Sequence, residues 1–65
     1  MAGFYVEIIL PSGSVDQYAS LPTFEEAIAW LDARNPTLNG RTGRFFGVAT
    51  DEQIRILHEK GYGPY

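Results

Sequence analysis

The first hydrophobic residues of the chain alternate with polar ones at a period of two, which is typical of strands with one buried face. The segment from Phe4 to Leu10 is rich in β-branched and aromatic residues. One of its faces carries four apolar side chains: Phe4, Val6, Ile8 and Leu10. Turn-forming residues 11–14 follow, and a second segment with strand character runs from Val15 to Ser20. The pattern predicts a β-hairpin.

The turn sets the expected pairing of these two strands. A turn centred on Ser12 and Gly13 places Leu10 opposite Val15 and, further along, Val6 opposite Ala19. Six residues then form the other face of the hairpin: Tyr5, Glu7, Ile9, Asp16, Tyr18 and Ser20.

The periodicity changes to that of a helix after residue 22. Thr23 and Glu26 have the spacing of a capping box, in which the Thr hydroxyl accepts from the Glu26 amide and the Glu side chain reaches back to the Thr amide. Apolar residues follow at helical spacing: Phe24, Ala27, Ile28, Trp30 and Leu31. Because Pro36 disfavours helical geometry in the residue before it, we expect the helix to end by Arg34.

Residues 36–43 are expected to form a loop, in which the Asn39-Gly40 dipeptide favours a tight turn. Residues 44–49 then have the character of a third strand. A sheet in which the most apolar strand is central has the order 2-1-3, since a crossover through the first helix returns the third strand beside the first.

A second helix is predicted after Thr50, which forms a capping box with Gln53. Lys60 and Gly61 mark its end, and Tyr62 lies where a Schellman motif places an apolar contact back onto Leu57. The chain is therefore predicted to be a single domain over residues 1–65, of class α+β: a two-layer ββαβα fold with a three-stranded antiparallel sheet and both helices on one face.

Composition narrows the class of protein. The 65 residues include no cysteine, so neither a disulfide nor a thiolate metal site can form. The longest apolar run, Ala27 to Leu31, is too short for a signal peptide or a membrane span, and we expect a cytoplasmic protein that does not bind membranes. The net charge of −3 makes the chain acidic, which argues against a dedicated nucleic-acid binder.

The sequence contains few residues that are candidates for catalysis. His58 is the single histidine, so a histidine metal cluster or a two-histidine proton relay cannot form. The paired carboxylates Glu25-Glu26 and Asp51-Glu52 fall in first helical turns, where acidic residues favour the helix dipole. We therefore expect a non-enzymatic protein without a metal or cofactor.

Three of the five basic residues lie close together in the sequence: Arg34, Arg41 and Arg44. With the glycines of the loop between them, they are candidates for contact with an anion or nucleic acid, because Gly lets backbone amides approach an anion and Arg binds it bidentately. The alternative is an ordinary solvated loop.

The face of the sheet away from the helices is the second candidate site. Tyr5, Ile9, Tyr18 and one of Phe45 or Phe46 are expected to face outward together, and a contiguous exposed apolar surface usually marks an interaction site. The alternative is that the C-terminal tail folds over this face through Tyr62 or Tyr65.

These observations favour a small protein-interaction domain. It would be a homodimer through the open sheet face or an edge strand, or a docking module or inhibitor of a larger partner. The second candidate function is a nucleic-acid-binding accessory protein that uses Arg34, Arg41 and Arg44.

Overall fold

The computed structural model describes residues 3–63, which form a three-stranded sheet covered on one face by two α-helices. In chain order the elements are β1 (Phe4–Ile9), β2 (Val15–Leu21), α1 (Phe24–Arg34), a 3-10 turn (Thr37–Asn39), β3 (Thr42–Phe46) and α2 (Asp51–Lys60). The sheet is antiparallel with order β2-β1-β3, so the predicted α+β fold and its topology are confirmed. Across these residues, no helix is long and apolar enough to span a bilayer.

The β1–β2 hairpin has the predicted register over most of its length but a different turn. Phe4 pairs with Leu21 and Ile8 with Gln17, as expected. The turn centres on Pro11 and Ser12, because the Gly13 amide donates to the Leu10 carbonyl at 2.8 Å, and Gly13 has a φ of 95°. Val15 therefore pairs with Ile9 and not with Leu10 as predicted.

A β-bulge absorbs this one-residue difference. The register shifts between Ile8 and Ile9, which leaves Asp16 as the extra residue on β2. The side chain of Asp16 accepts from Arg41 at 2.6 Å, so the bulge residue is held by the segment that leads into β3.

Both helices begin at the predicted caps. Thr50 and Gln53 form a full capping box, with the Gln53 amide 3.1 Å from the Thr50 hydroxyl and the Thr50 amide 3.0 Å from the Gln53 side chain. Thr23 accepts from the Glu26 amide at 3.1 Å. The Glu26 carboxylate accepts from the Thr23 hydroxyl at 3.1 Å, and not from the Thr23 backbone amide as predicted.

The third strand begins two residues earlier and ends three residues earlier than the predicted range 44–49. It starts at Thr42 because Thr42 and Gly43 pair with Ile9 and Ile8 of β1. It ends before Gly47, whose φ of 149° is a conformation that favours glycine. A Cβ at Gly47 would also lie 2.7 Å from the Phe4 ring, so the chain approaches β1 too closely here for a side chain.

The core lies between the sheet and the helices. Its buried members come from β1 and β3, from both helices and from the C-terminal turn: Val6, Ile8, Phe24, Ala27, Leu31, Phe45, Leu57 and Tyr62. The centroid of the Phe45 ring lies 5.3 Å from that of Phe4 and 5.6 Å from that of Phe24. These aromatic contacts join β3, β1 and the start of α1 into one cluster.

Tyr62 closes the core from the C-terminal end of α2. Its amide donates to the Leu57 carbonyl at 2.9 Å, which confirms the predicted Schellman cap with Gly61 at a φ of 80°. Its phenol donates to Asp32 of α1 at 2.7 Å, and Lys60 donates to the other oxygen of the same carboxylate at 3.0 Å. Asp32 thus ties the end of α2 to α1.

This buried phenol predicts a loss of stability at alkaline pH. Burial, and then the hydrogen bond to Asp32, raise the pKa of Tyr62 far above its ordinary value of 10. As the pH rises past about 10, the unfolded chain loses this proton before the folded chain does, so the free energy of unfolding falls. The stabilising effect is complete below that pH and is lost above it.

Urea unfolding between about pH 9 and pH 11 measures the effect. The slope of stability against pH should be smaller in Tyr62→Phe than in the wild type. Tyr18→Phe is the control, because Tyr18 is exposed. An unchanged slope in Tyr62→Phe would contradict the prediction.

Candidate functional site: the open sheet face

Three aromatic side chains lie next to one another on the sheet face that the helices leave open. Tyr5 of β1 lies between Tyr18 of β2 and Phe46 of β3, with ring centroids 6.2 Å and 5.8 Å from it. Tyr5 and Phe46 are direct cross-strand partners, whereas Tyr18 pairs with Glu7 and therefore lies diagonal to Tyr5. We call these three residues the aromatic row.

Exposure is greatest at the β2 end of the aromatic row. Tyr5 and Phe46 are half-buried, whereas Tyr18 is 69% exposed. A large exposed aromatic side chain beside two others is a common feature of interaction sites.

Two of the predicted members do not belong to this surface. Phe45 pairs with Val6 and is fully buried in the core, so Phe46 is the phenylalanine that faces outward. Ile9, whose partners in the sheet are Val15 and Thr42, is only 4% exposed. Tyr5, Tyr18 and Phe46 remain as the accessible part of the predicted cluster.

The polar groups of the open face are placed beside the aromatic row. Glu7 accepts a hydrogen bond from the Tyr5 hydroxyl at 2.9 Å, and it lies between Tyr18 and Arg44 in the sheet register. Burial, the hydrogen bond to Glu7 and the charge of Glu7 raise the pKa of Tyr5.

One end of the open face has a shallow depression with a volume of about 400 Å³. Its lining comes from the ends of all three strands and from the glycine that follows β3: Gly3, Phe4, Tyr5, Ser20, Phe46 and Gly47. The sequence did not single out Gly47, because what marks it is the close approach of the chain to Phe4.

The three arginines of the predicted anion site have separate surroundings. Arg34 stacks 3.9 Å from the centroid of the Trp30 ring and donates to Gln17 at 2.9 Å, on the helix side of β2. Arg41 forms the salt bridge with Asp16. Arg44 lies on the open face, across from Glu7. Arg34 and Arg41 therefore contact the neighbouring residues Gln17 and Asp16 of β2, whereas Arg44 lies in β3.

Charge is divided unevenly between the two layers. The two helices carry six acidic and three basic residues, whereas the strands and turns carry two acidic and two basic residues. The formal charge of −3 therefore lies on the helix layer, and the sheet layer is neutral. A second acidic molecule meets less repulsion at the sheet than at the helices.

The tail does not cover the open face through Tyr62. That side chain is 6% exposed and lies in the core with Leu57, on the helix side of the sheet. The alternative that used Tyr62 is therefore wrong, and Tyr65 lies outside the described residues.

The two outer strands differ in how their edges are covered. The Phe45 amide of β3 donates to the Tyr62 carbonyl at 2.9 Å, so the segment after α2 lies along that edge. β2 has only β1 as a strand neighbour among the strands of residues 3–63. Its residues from Val15 to Tyr18 are all exposed.

The candidate catalytic residues are accounted for by helix structure. His58 is exposed near the end of α2, and the paired carboxylates lie in the first turns of α1 and α2. Within residues 3–63, no group of three or more His, Cys, Asp or Glu side chains could hold a metal ion.

Comparison of the chain with protein families, curated proteins and solved structures finds no match.

Proposed function

We propose that this protein is a non-enzymatic protein-interaction domain that binds its partner through the open sheet face. The observation that carries the proposal is the aromatic row of Tyr5, Tyr18 and Phe46, which ends in a tyrosine that is 69% exposed. Tyrosine supplies a large, rigid contact area at low entropic cost, and it is enriched in the residues that dominate binding energy.

The surroundings of the aromatic row support this use. The sheet layer is electrically neutral, so a protein surface can approach it without facing the charge of the helix layer. Stacked nucleobases would bring phosphates close to Glu7, which lies beside Tyr18. The open face is therefore better suited to a protein than to a nucleic acid.

Site-specific photo-crosslinking tests the proposal. A photoreactive phenylalanine analogue replaces Tyr18 in the chain expressed in its source cells, and a matched variant carries the analogue at Glu59, which is exposed on α2. We expect a protein adduct from position 18 and a much weaker one from position 59. The mass of the adduct tells whether the partner is a second copy or another protein.

Two results would contradict the proposal. Equal adducts from both positions would show that contact is nonspecific, and the absence of any adduct at position 18 would show that the open face is not used. Salt-dependent binding of DNA or RNA that is lost in Arg41→Ala and Arg44→Ala would favour the nucleic-acid function instead.

A further inference from the structure

The free edge of β2 deepens the proposed function by naming a partner. We propose that two copies of this chain associate by antiparallel pairing of β2 with β2, about a two-fold axis at Tyr18. The pairing joins the two sheets into one sheet of six strands. This inference rests on the proposed function, because it uses the same open face and the same exposed tyrosine.

Alternate residues of β1 hydrogen-bond to β2, and this alternation leaves the backbone N–H and C=O of Tyr18 pointing to the free edge of β2. The Leu10 amide donates to the Ser14 carbonyl at 2.9 Å, and bonded and non-bonded pairs alternate along an antiparallel ladder. Counting back along β1 from Leu10, Ile8 forms a hydrogen-bonded pair with β2, and Glu7 forms a non-hydrogen-bonded pair. Tyr18 is opposite Glu7, so its N–H and C=O point away from β1.

A two-fold axis at Tyr18 makes β2 complementary to itself. Each Tyr18 then donates its N–H to the Tyr18 carbonyl of the second copy, while Gln17 lies opposite Ala19 and Asp16 lies opposite Ser20. Asp16 is the one charged residue of β2, and this register places no like charge opposite it.

The strand also lacks most of the features that protect an edge from pairing. Between Val15 and Leu21 there is no proline and no lysine. The bulge at Asp16 is a protective feature, but it lies next to the turn and leaves the strand regular from Gln17 to Leu21. The fold thus covers the edge of β3 with the segment after α2 and leaves β2 available.

Directly paired residues share a face, so the two Tyr18 side chains would lie side by side on the open face. The two aromatic rows would then form one continuous row of six rings across the six strands. The neutral sheet layer permits this contact, and the net negative charge of both helix layers stays outside it.

Sedimentation equilibrium tests the pairing. The wild type should have twice the mass of the 7.3 kDa chain. Tyr18→Asp and Tyr18→Lys each place like charges opposite one another at the axis, and each should raise the dissociation constant at least about tenfold. Val48→Asp is the matched control, because Val48 is 92% exposed and follows β3 at the far side of the sheet.

Mixing the two charged variants is the decisive measurement. Tyr18→Asp and Tyr18→Lys should restore a dimer with each other, because only a two-fold axis at residue 18 brings the opposite charges together. Circular dichroism checks that both variants fold, and Tyr18→Phe, which keeps the ring, should remain dimeric.

The outcomes separate this inference from the proposed function. A monomeric wild type, a dimer that Tyr18→Asp leaves intact, or charged variants that do not recombine would each overturn the β2 pairing. If the photoreactive group at position 18 then crosslinks to another protein, the open face is still an interaction site. If it crosslinks to nothing, both proposals fail.

Discussion

Phe45→Ala is expected to unfold most of the protein, whereas Phe46→Ala, one residue away, should leave it folded. Phe45 is fully buried and its ring contacts both Phe4 and Phe24. Truncating a buried phenylalanine costs about 3–5 kcal/mol. A core in a chain of this size supplies about 3–5 kcal/mol in total, so the loss removes most of the stability.

Phe46 provides the matched control because it has the same side chain on the opposite face of the same strand. It is half-buried and contacts Tyr5 at 5.8 Å between ring centroids. Its replacement by alanine should cost about 1 kcal/mol. Urea unfolding monitored by circular dichroism measures both variants, and equal costs would show that the core does not depend on Phe45 as described.

This pair of phenylalanines shows where sequence reasoning reached its limit. The pattern identified a third strand with one phenylalanine on each face, but it left open which of them faced outward. A shift of one residue in register exchanges the two faces. Gly43 provides no side chain that would reveal the register, and the contact that sets it is the pairing of β3 with β1.

The elements that were predicted most accurately have local causes. The Thr50 capping box, the Gly61 stop and the order of the strands each depend on residues close together in the sequence or on the apolar character of β1. The bulge at Asp16 depends on the turn at Pro11 and on Arg41, which lies 25 residues further along the chain. No local pattern of hydrophobic residues marks such a contact.

The same distinction applies to the candidate site. Tyr5 and Tyr18 were assigned to the open face from strand periodicity alone, and their place there is set by the hairpin. Ile9 has the same periodicity as Tyr5 but is buried. The arginines were grouped by sequence distance, and in the fold Arg34 belongs to a helix and Arg44 to a strand.

Gly43→Ala is expected to destabilise the protein, chiefly through its close approach to Tyr62 of the C-terminal segment. Gly43 is buried, and a Cβ there would lie 2.8 Å from Cδ1 of Tyr62 and 3.1 Å from Cγ of Pro36. Inserting a methyl group into a filled site costs about 1–3 kcal/mol. Thr42→Ala, at an exposed neighbouring position, should stay within about 0.5 kcal/mol of the wild type.

A double-mutant cycle with Tyr62→Ala tests the cause. In the Tyr62→Ala background the ring is gone, so Gly43→Ala should cost much less than in the wild type. Equal costs in both backgrounds would show that Tyr62 does not limit the space at Gly43. The coupling bears on the open face as well, since the Tyr62 ring fits the helix side of β3 only because Gly43 has no side chain. That fit keeps Tyr62 in the core layer, on the opposite face of the sheet from Tyr18, Tyr5 and Phe46.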